Sequence, residues 1–146
     1  MRIAVISDTH NHCPAKLPER LKDADEIWHL GDVCAPGTLS GLEQLGPPLH
    51  VVGGNCDAPD AWPAMLNLER EGIRFHLTHI PPLRAPRGAQ IVLHGHTHVP
   101  RDETDPAGVR WLNPGALSHP RGGTAASFAW LTLASGKLTG WKVVRV

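Results

Sequence analysis

Five short runs of apolar residues each end in a polar motif, and that repeated change of character constrains the fold more than any other feature of the chain. Ile3-Ala4-Val5-Ile6 leads into Asp8-Thr9-His10, Ile27-Trp28-His29-Leu30 into Gly31-Asp32, and His50-Val51-Val52 into Gly54-Asn55-Cys56-Asp57. Phe75-His76-Leu77 leads into Thr78-His79, and Ile91-Val92-Leu93 into Gly95-His96-Thr97-His98. Each run reads as a buried strand and each motif as the place where that strand ends. Five strands that release polar side chains on one side describe a site.

Between these strands the chain supplies helix and turn signals. Pro18-Glu19-Arg20-Leu21-Lys22 reads as a short helix with proline in its first turn, and Pro36 to Leu45 as a second, closed by Gly46-Pro47-Pro48. A third helical turn is expected between Ala58 and Met65. From Asn67 onward the texture is mostly β. Glu71-Gly72 reads as a hairpin turn, and Pro106-Ala107-Gly108 as a turn between Val99–Glu103 and Val109–Leu112. Ser135-Gly136 joins Ala126–Leu133 to Lys137–Val146. The expectation is an α/β chain of one domain over residues 1–146, with two packed mixed sheets and flanking helices.

Bulk properties narrow the functional classes. With 146 residues, 41% hydrophobic and 19% charged, the chain is long enough for a proper core and too ordinary for disorder. Fourteen basic residues balance fourteen acidic ones, which argues against a general nucleic-acid or membrane surface. No long apolar stretch marks a signal peptide or a membrane span, so a cytoplasmic location is expected. Cys13, Cys34 and Cys56 are odd in number and lack CxxC spacing, which speaks against a disulfide framework or a structural zinc site. Cys34 and Cys56 read first as buried inert thiols, with oxidative inactivation as the sharper alternative.

The motif residues offer seven oxygen and nitrogen ligands, enough for two adjacent divalent ions. Carboxylate, imidazole and carboxamide donors suit Mn²⁺, Ni²⁺, Fe²⁺, Co²⁺ or Zn²⁺, and four histidines argue against Mg²⁺ or Ca²⁺. Only Asp8 and Asp32 among the candidate ligands carry charge, so two divalent ions leave the site net positive, even with a bridging hydroxide. That favours an anionic phosphate. A hydroxide held between the ions near neutral pH is the expected nucleophile for in-line attack at phosphorus.

On these motifs the chain resembles the calcineurin-like metallophosphoesterases, in particular their small bacterial and archaeal phosphodiesterases, from Met1 to about Pro120. The resemblance implies a four-layer α-β-β-α sandwich. It places Asp8, His10 and His98 on one ion and Asn55, His79 and His96 on the other, with Asp32 bridging, and it gives Asp32, Asn55 and His79 the catalytic part. Mn²⁺ is the first expectation for both ions. A small phosphodiester substrate and a homo-oligomer, first of all a dimer, are also implied.

Supporting positions follow. Asn113, in Asn113-Pro114-Gly115-Ala116, matches a turn that relatives place beside the metals and is a candidate to orient a ligand or phosphate oxygen; Ala116 stands where they carry serine. Cys56 stands where larger protein-phosphatase relatives carry a histidine, as in the small phosphodiesterases, so good leaving groups are favoured. Asp57 is expected to hold His10 or a neighbouring loop. His94 reads as a core or supporting residue, and His12, His29, His50, His76 and His119 as structural or exposed.

The segment Ile80-Pro81-Pro82-Leu83-Arg84-Ala85-Pro86-Arg87-Gly88 departs from the family, whose members carry a helix there; its prolines oppose one. It reads as a stiffened connection, or as one that brings Arg84 or Arg87 to substrate phosphate. Competing functions are a phosphomonoesterase at the same site, a non-catalytic scaffold of the same fold, which would be expected to lack ligands, and a nuclease, disfavoured by the neutral charge. Trp62, Trp111, Trp130 and Trp141 read as packing residues before base-stacking ones.

Overall fold

The computed structural model describes all 146 residues. Three parallel strands, β1 (Arg2–Ile6), β2 (Glu26–His29) and β3 (Leu49–Val51), form one side of the five-stranded first sheet. The tail hairpin of β9 (Ser127–Ala134) and β10 (Lys137–Arg145) adds to it antiparallel, giving the order β10-β9-β1-β2-β3. The second sheet has the order β4-β5-β6-β8-β7, built from β4 (Met65–Arg70), β5 (Ile73–Thr78), β6 (Ile91–Leu93), β7 (Arg101–Thr104) and β8 (Arg110–Asn113). In it β5, β6 and β8 run parallel while the outer strands are antiparallel.

Strand alternation decides which faces meet. Ile3 and Val5 of β1 join Trp28, Ile73, Phe75, Leu77, Leu93 and Leu112 in the core between the sheets. Trp28 and Phe75 meet edge to face there, with centroids 5.1 Å apart. The intervening Ala4 and Ile6 point to the other face, against Leu17 and Leu21 of α1 (Leu17–Leu21) and Leu42 of α2 (Ser40–Glu43). With both faces covered, β1 reads as an unbroken apolar run rather than an alternating one.

Two local outcomes differ from the sequence reading. Pro36–Leu39 is a 3₁₀ turn, and only Ser40–Glu43 continues as α-helix. Residues 58–64 form turns closed by the Ala61 N–H on the Ala58 carbonyl, without a helix, between Pro59 and Pro63. The helices α1 and α2 cover the first sheet only. Against the outer face of the second sheet lies the coil of residues 81–89, the stiffened connection that its prolines imply. Val92 and Trp111, which alternate with the inter-sheet residues, are buried on that face all the same. No helix is long and apolar enough to cross a membrane.

Candidate metal centre

All five motif-bearing strands, β1, β2, β3, β5 and β6, release their motifs at one rim, the C-terminal ends of parallel strands where open α/β sheets place their ligands. The chain leaves these strands through strained backbone. Asp8, His10, Asp32, His96 and His98 have φ of 56°, 44°, 58°, 68° and 58°. Side chains disfavour that left-handed region, at about 1–3 kcal/mol per residue, and it persists where surrounding structure fixes it. Here the fixing is a lattice of loop-to-loop hydrogen bonds. The Asp8 N–H donates to the Gly31 carbonyl at 3.0 Å, His10 N–H to Asp32 at 3.0 Å and Gly95 N–H to His79 at 3.0 Å. Ser118 and Arg121 N–H groups reach the carbonyls of Asp8 and His98.

Two buried polar side chains complete the lattice. The Asp57 carboxylate accepts three backbone N–H groups, from Asp32 at 2.9 Å, Cys34 at 2.7 Å and Gly54 at 2.7 Å. It therefore braces the loops after β2 and β3 rather than His10. Asn113 donates through Nδ2 to the Gly95 carbonyl at 3.0 Å and to Thr97 Oγ1 at 3.1 Å, and accepts the Gly115 N–H at 2.8 Å, which fixes the loop after β6.

The side chains so held face one another with too few protons. His98 Nδ1–H donates to the His119 carbonyl at 2.7 Å, so in the neutral ring Nε2 carries a lone pair, and it stands 3.0 Å from Asp8 Oδ1. His79 Nδ1–H likewise donates to the Leu30 carbonyl at 2.7 Å, which leaves its Nε2 lone pair 3.2 Å from Asp32 Oδ2 and 3.9 Å from Asp8 Oδ1. Both Asp8 Oδ1 and His79 Nε2 are buried without a hydrogen-bond partner. Buried acceptors aimed at acceptors are costly. A cation among them removes the conflict, and His, Asp and carboxamide donors suit a divalent first-row metal.

Two clusters result. Asp8, His10 and His98 form one, and Asp32, His79 and His96 the other. Asn55 joins the second through its Oδ1, 3.0 Å from His96 Nδ1. Asp32 touches both. Its Oδ1 accepts the Cys56 N–H at 2.9 Å, while Oδ2 lies 3.5 Å from His10 Nε2 and 3.2 Å from His79 Nε2. All seven expected ligands are thus brought together, whereas Arg84 and Arg87 are not part of the cluster. Arg84 lines a cavity with Arg101, Asp105 and Trp111, and Arg87 a second with Asn67, His76 and Thr78; neither cavity is lined by a ligand.

Several residues beside the centre carry no sequence signal for their place. Ser7 Oγ–H donates to Asp8 Oδ2 at 2.6 Å. His29 is fully buried, its Nδ1 accepting the Gly31 N–H at 3.1 Å and its Nε2 3.1 Å from Thr9 Oγ1; burial pushes its pKa down to about 3. His94 turns away from the clusters, to the Gly95 carbonyl and to Arg101, and burial pushes it down to about 4. The His119 ring meets His10 edge to face at 5.8 Å, a neighbour that its motif-free position did not suggest.

Two mixed sheets with Asp and His side chains gathered at parallel strand ends define the class of metallophosphoesterase-type sandwiches. The calcineurin-like phosphoesterase superfamily domain matches residues 1–136, and the chain belongs to that family. A "Probable metallophosphoesterase" of Methanothermobacter thermautotrophicus is 33% identical over 141 residues, covering 83% of this chain and 80% of its own. Phosphodiesterase YfcE of Escherichia coli is 30% identical over 164 residues, covering 90% of this chain and 87% of its own. The solved YfcE structure superposes with a TM-score of 0.78 at 25% identity, over 97% and 98% of the two chains. Vps29 of Entamoeba histolytica, solved with zinc, shares the fold at a TM-score of 0.79 and 21% identity, over 100% and 98%.

Proposed function

We propose that the protein is a metal-dependent phosphodiesterase acting on small phosphodiesters. In this reading Asp8, His10 and His98 would hold one divalent ion and Asn55, His79 and His96 the other, with Asp32, which touches both clusters, shared between them. The observation that carries it is the convergence of lone pairs from Asp8, His79 and His98 with no proton between them. The relatives named as phosphodiesterases support the reaction class. Mn²⁺ is the first choice of ion, with Ni²⁺, Fe²⁺, Co²⁺ and Zn²⁺ as alternatives, and a cytoplasmic homodimer remains the expected form.

Divalent ions held there would supply Lewis acidity toward phosphate oxygens and toward an attacking water near neutral pH. The chain's own residues do the rest. The carbonyls of Leu30 and His119 hold the Nδ1 protons of His79 and His98, which fixes both tautomers and aims both Nε2 atoms inward. The Cys56 N–H occupies one oxygen of Asp32 and so directs the other to the midpoint of the clusters. Asp57 is committed to three N–H groups and has no free role in proton transfer, and residue 56 is a thiol that burial and Asp32 push up to about 11. Esters with good leaving groups are therefore favoured.

The test is hydrolysis of a bis-aryl phosphodiester beside the matching monoester, after chelator treatment and Mn²⁺ add-back. Metal-restored cleavage that favours the diester is expected, and Asp32→Asn and His96→Ala should each remove it while the circular dichroism spectrum is kept. Faster monoester cleavage would make the protein a phosphomonoesterase. No turnover with any first-row ion would favour a scaffold, a role against which the complete ligand set argues.

A further inference from the structure

Residues 34 and 56 are far apart in sequence, but the loops after β2 and β3 set their thiols side by side at the rim of the metal centre. Cys34 Sγ lies 3.8 Å from His10 Nδ1, and the two sulfurs and a ring nitrogen of His10 all fall within 4.8 Å of one another. Bond lengths of about 2.3 Å to sulfur and 2.0–2.1 Å to nitrogen separate the donors of a tetrahedral zinc site by roughly 3.5–3.8 Å. The two loops are held by the braces already described, Cys34 through its N–H on Asp57 and Cys56 through its N–H on Asp32. Cys34 is half-buried and Cys56 exposed, so the pair is reachable from solvent.

We propose that Cys34, Cys56 and His10 Nδ1 form a three-donor site for a thiophilic d¹⁰ cation (Zn²⁺, Cd²⁺ or Cu⁺), and that this site and the ion on His10 Nε2 exclude one another. The exclusion follows from the imidazole. Its Nε2 faces the centre, 3.7 Å from Asp8 Oδ1 and 3.3 Å from His98 Nε2, while Nδ1 faces Cys34. A neutral ring has one lone pair in its plane to give, because its other nitrogen carries the proton. With the proton on Nδ1 the ring serves the Asp8 cluster. With the proton on Nε2 the ring serves the thiols and presents an N–H to Asp8 and Asp32 instead.

Binding of a divalent ion releases the two thiol protons to solvent and forms two metal–sulfur bonds. The carboxylates of Asp57 and Asp32 lie beside the two thiols, each accepting the backbone N–H of one of the two cysteines. The same carboxylates attract a cation. Two sulfurs and one nitrogen select soft ions and leave Mn²⁺ to the oxygen and nitrogen donors of the centre. An ion on the thiols removes His10 from the first catalytic position, so thiophilic ions in excess inhibit. Only this mutual exclusion rests on the two-ion reading above; the thiol site itself does not.

The experiment is titration of metal-stripped, reduced protein with Cd²⁺, followed by the ultraviolet thiolate-to-cadmium charge-transfer band, which cadmium on nitrogen and oxygen ligands does not give. One sulfur-bound equivalent per chain is expected. Cys34→Ser and Cys56→Ser should each remove most of the band, Cys13→Ser should keep it, and His10→Ala should weaken binding about tenfold. In the unaltered protein, saturating Mn²⁺ should raise the Cd²⁺ needed for half-saturation several-fold. Absence of the band, or its survival in the double serine variant, overturns the site, and indifference to Mn²⁺ overturns the exclusion. Because nothing in this readout requires turnover, it fails or succeeds separately from the phosphodiesterase reading.

Discussion

Gly54 and Gly95 act by what they lack. A β-carbon on Gly54 would meet the backbone nitrogen and carboxylate of Asp32, and one on Gly95 would meet Ser7 Oγ, Asp8 Oδ2 and His79 Nδ1. Neither needs a left-handed backbone; both are required because ligand groups from other loops occupy the space. Gly95→Ala should therefore push Asp8 and His79 apart and weaken Mn²⁺ binding more than about tenfold, an effect of the size seen when a ligand's support is lost. Calorimetric Mn²⁺ titration reads this directly, and an unchanged affinity would show that the pocket yields. That the seven candidate ligands would come together was legible in the sequence because each follows an apolar run in a characteristic motif. The places of Ser7, His29 and His119 were not: Ser7 bonds its own neighbour Asp8 with no motif to mark it, while His29, inside a strand, and His119, in a bend, meet Thr9 and His10 only when distant loops close on them.

Elements were legible where pattern and turn chemistry agreed, as in the hairpins at Glu71-Gly72 and Ser135-Gly136, both of which join antiparallel strands. Where prolines interrupt a stretch, the backbone donors that a helix needs are missing, and both 58–64 and 81–89 form turns and coil. The second of these carries Arg84 and Arg87 onto the outer face of the second sheet, among residues that belong to neither ion cluster. Arg84→Ala and Arg87→Ala are accordingly expected to leave KM for a phosphodiester within about twofold of the parent, the behaviour of surface changes away from special features. A clear rise in KM in either variant would bring this coil into contact with substrate after all.

At the scale of the whole molecule, two buried imidazoles tie stability to pH. His29 titrates at about 3 and His94 at about 4 in the folded chain, both lowered first by burial; unfolded, each takes up its proton near 6.5. Below that pH the unfolded chain binds protons that the folded chain refuses. Stability that is full above pH 6.5 should thus fall as pH drops toward 4, by roughly 1 kcal/mol per pH unit for each histidine. Urea unfolding between pH 7 and 4.5 measures the slope; His94→Gln should lessen it by about half, and a flat profile would contradict it. The loop lattice that converges on Asp57 and Asn113 has a different reach, because it holds the ligand loops by hydrogen bonds of the polypeptide itself. A zinc finger's loops are tied together by the ion itself, whereas these loops are also tied to one another by the chain's own hydrogen bonds. The imidazole, carboxylate and carboxamide donors they carry suit several first-row ions alike, so the ion such a cradle would carry depends on the surrounding metal pool as much as on the sequence.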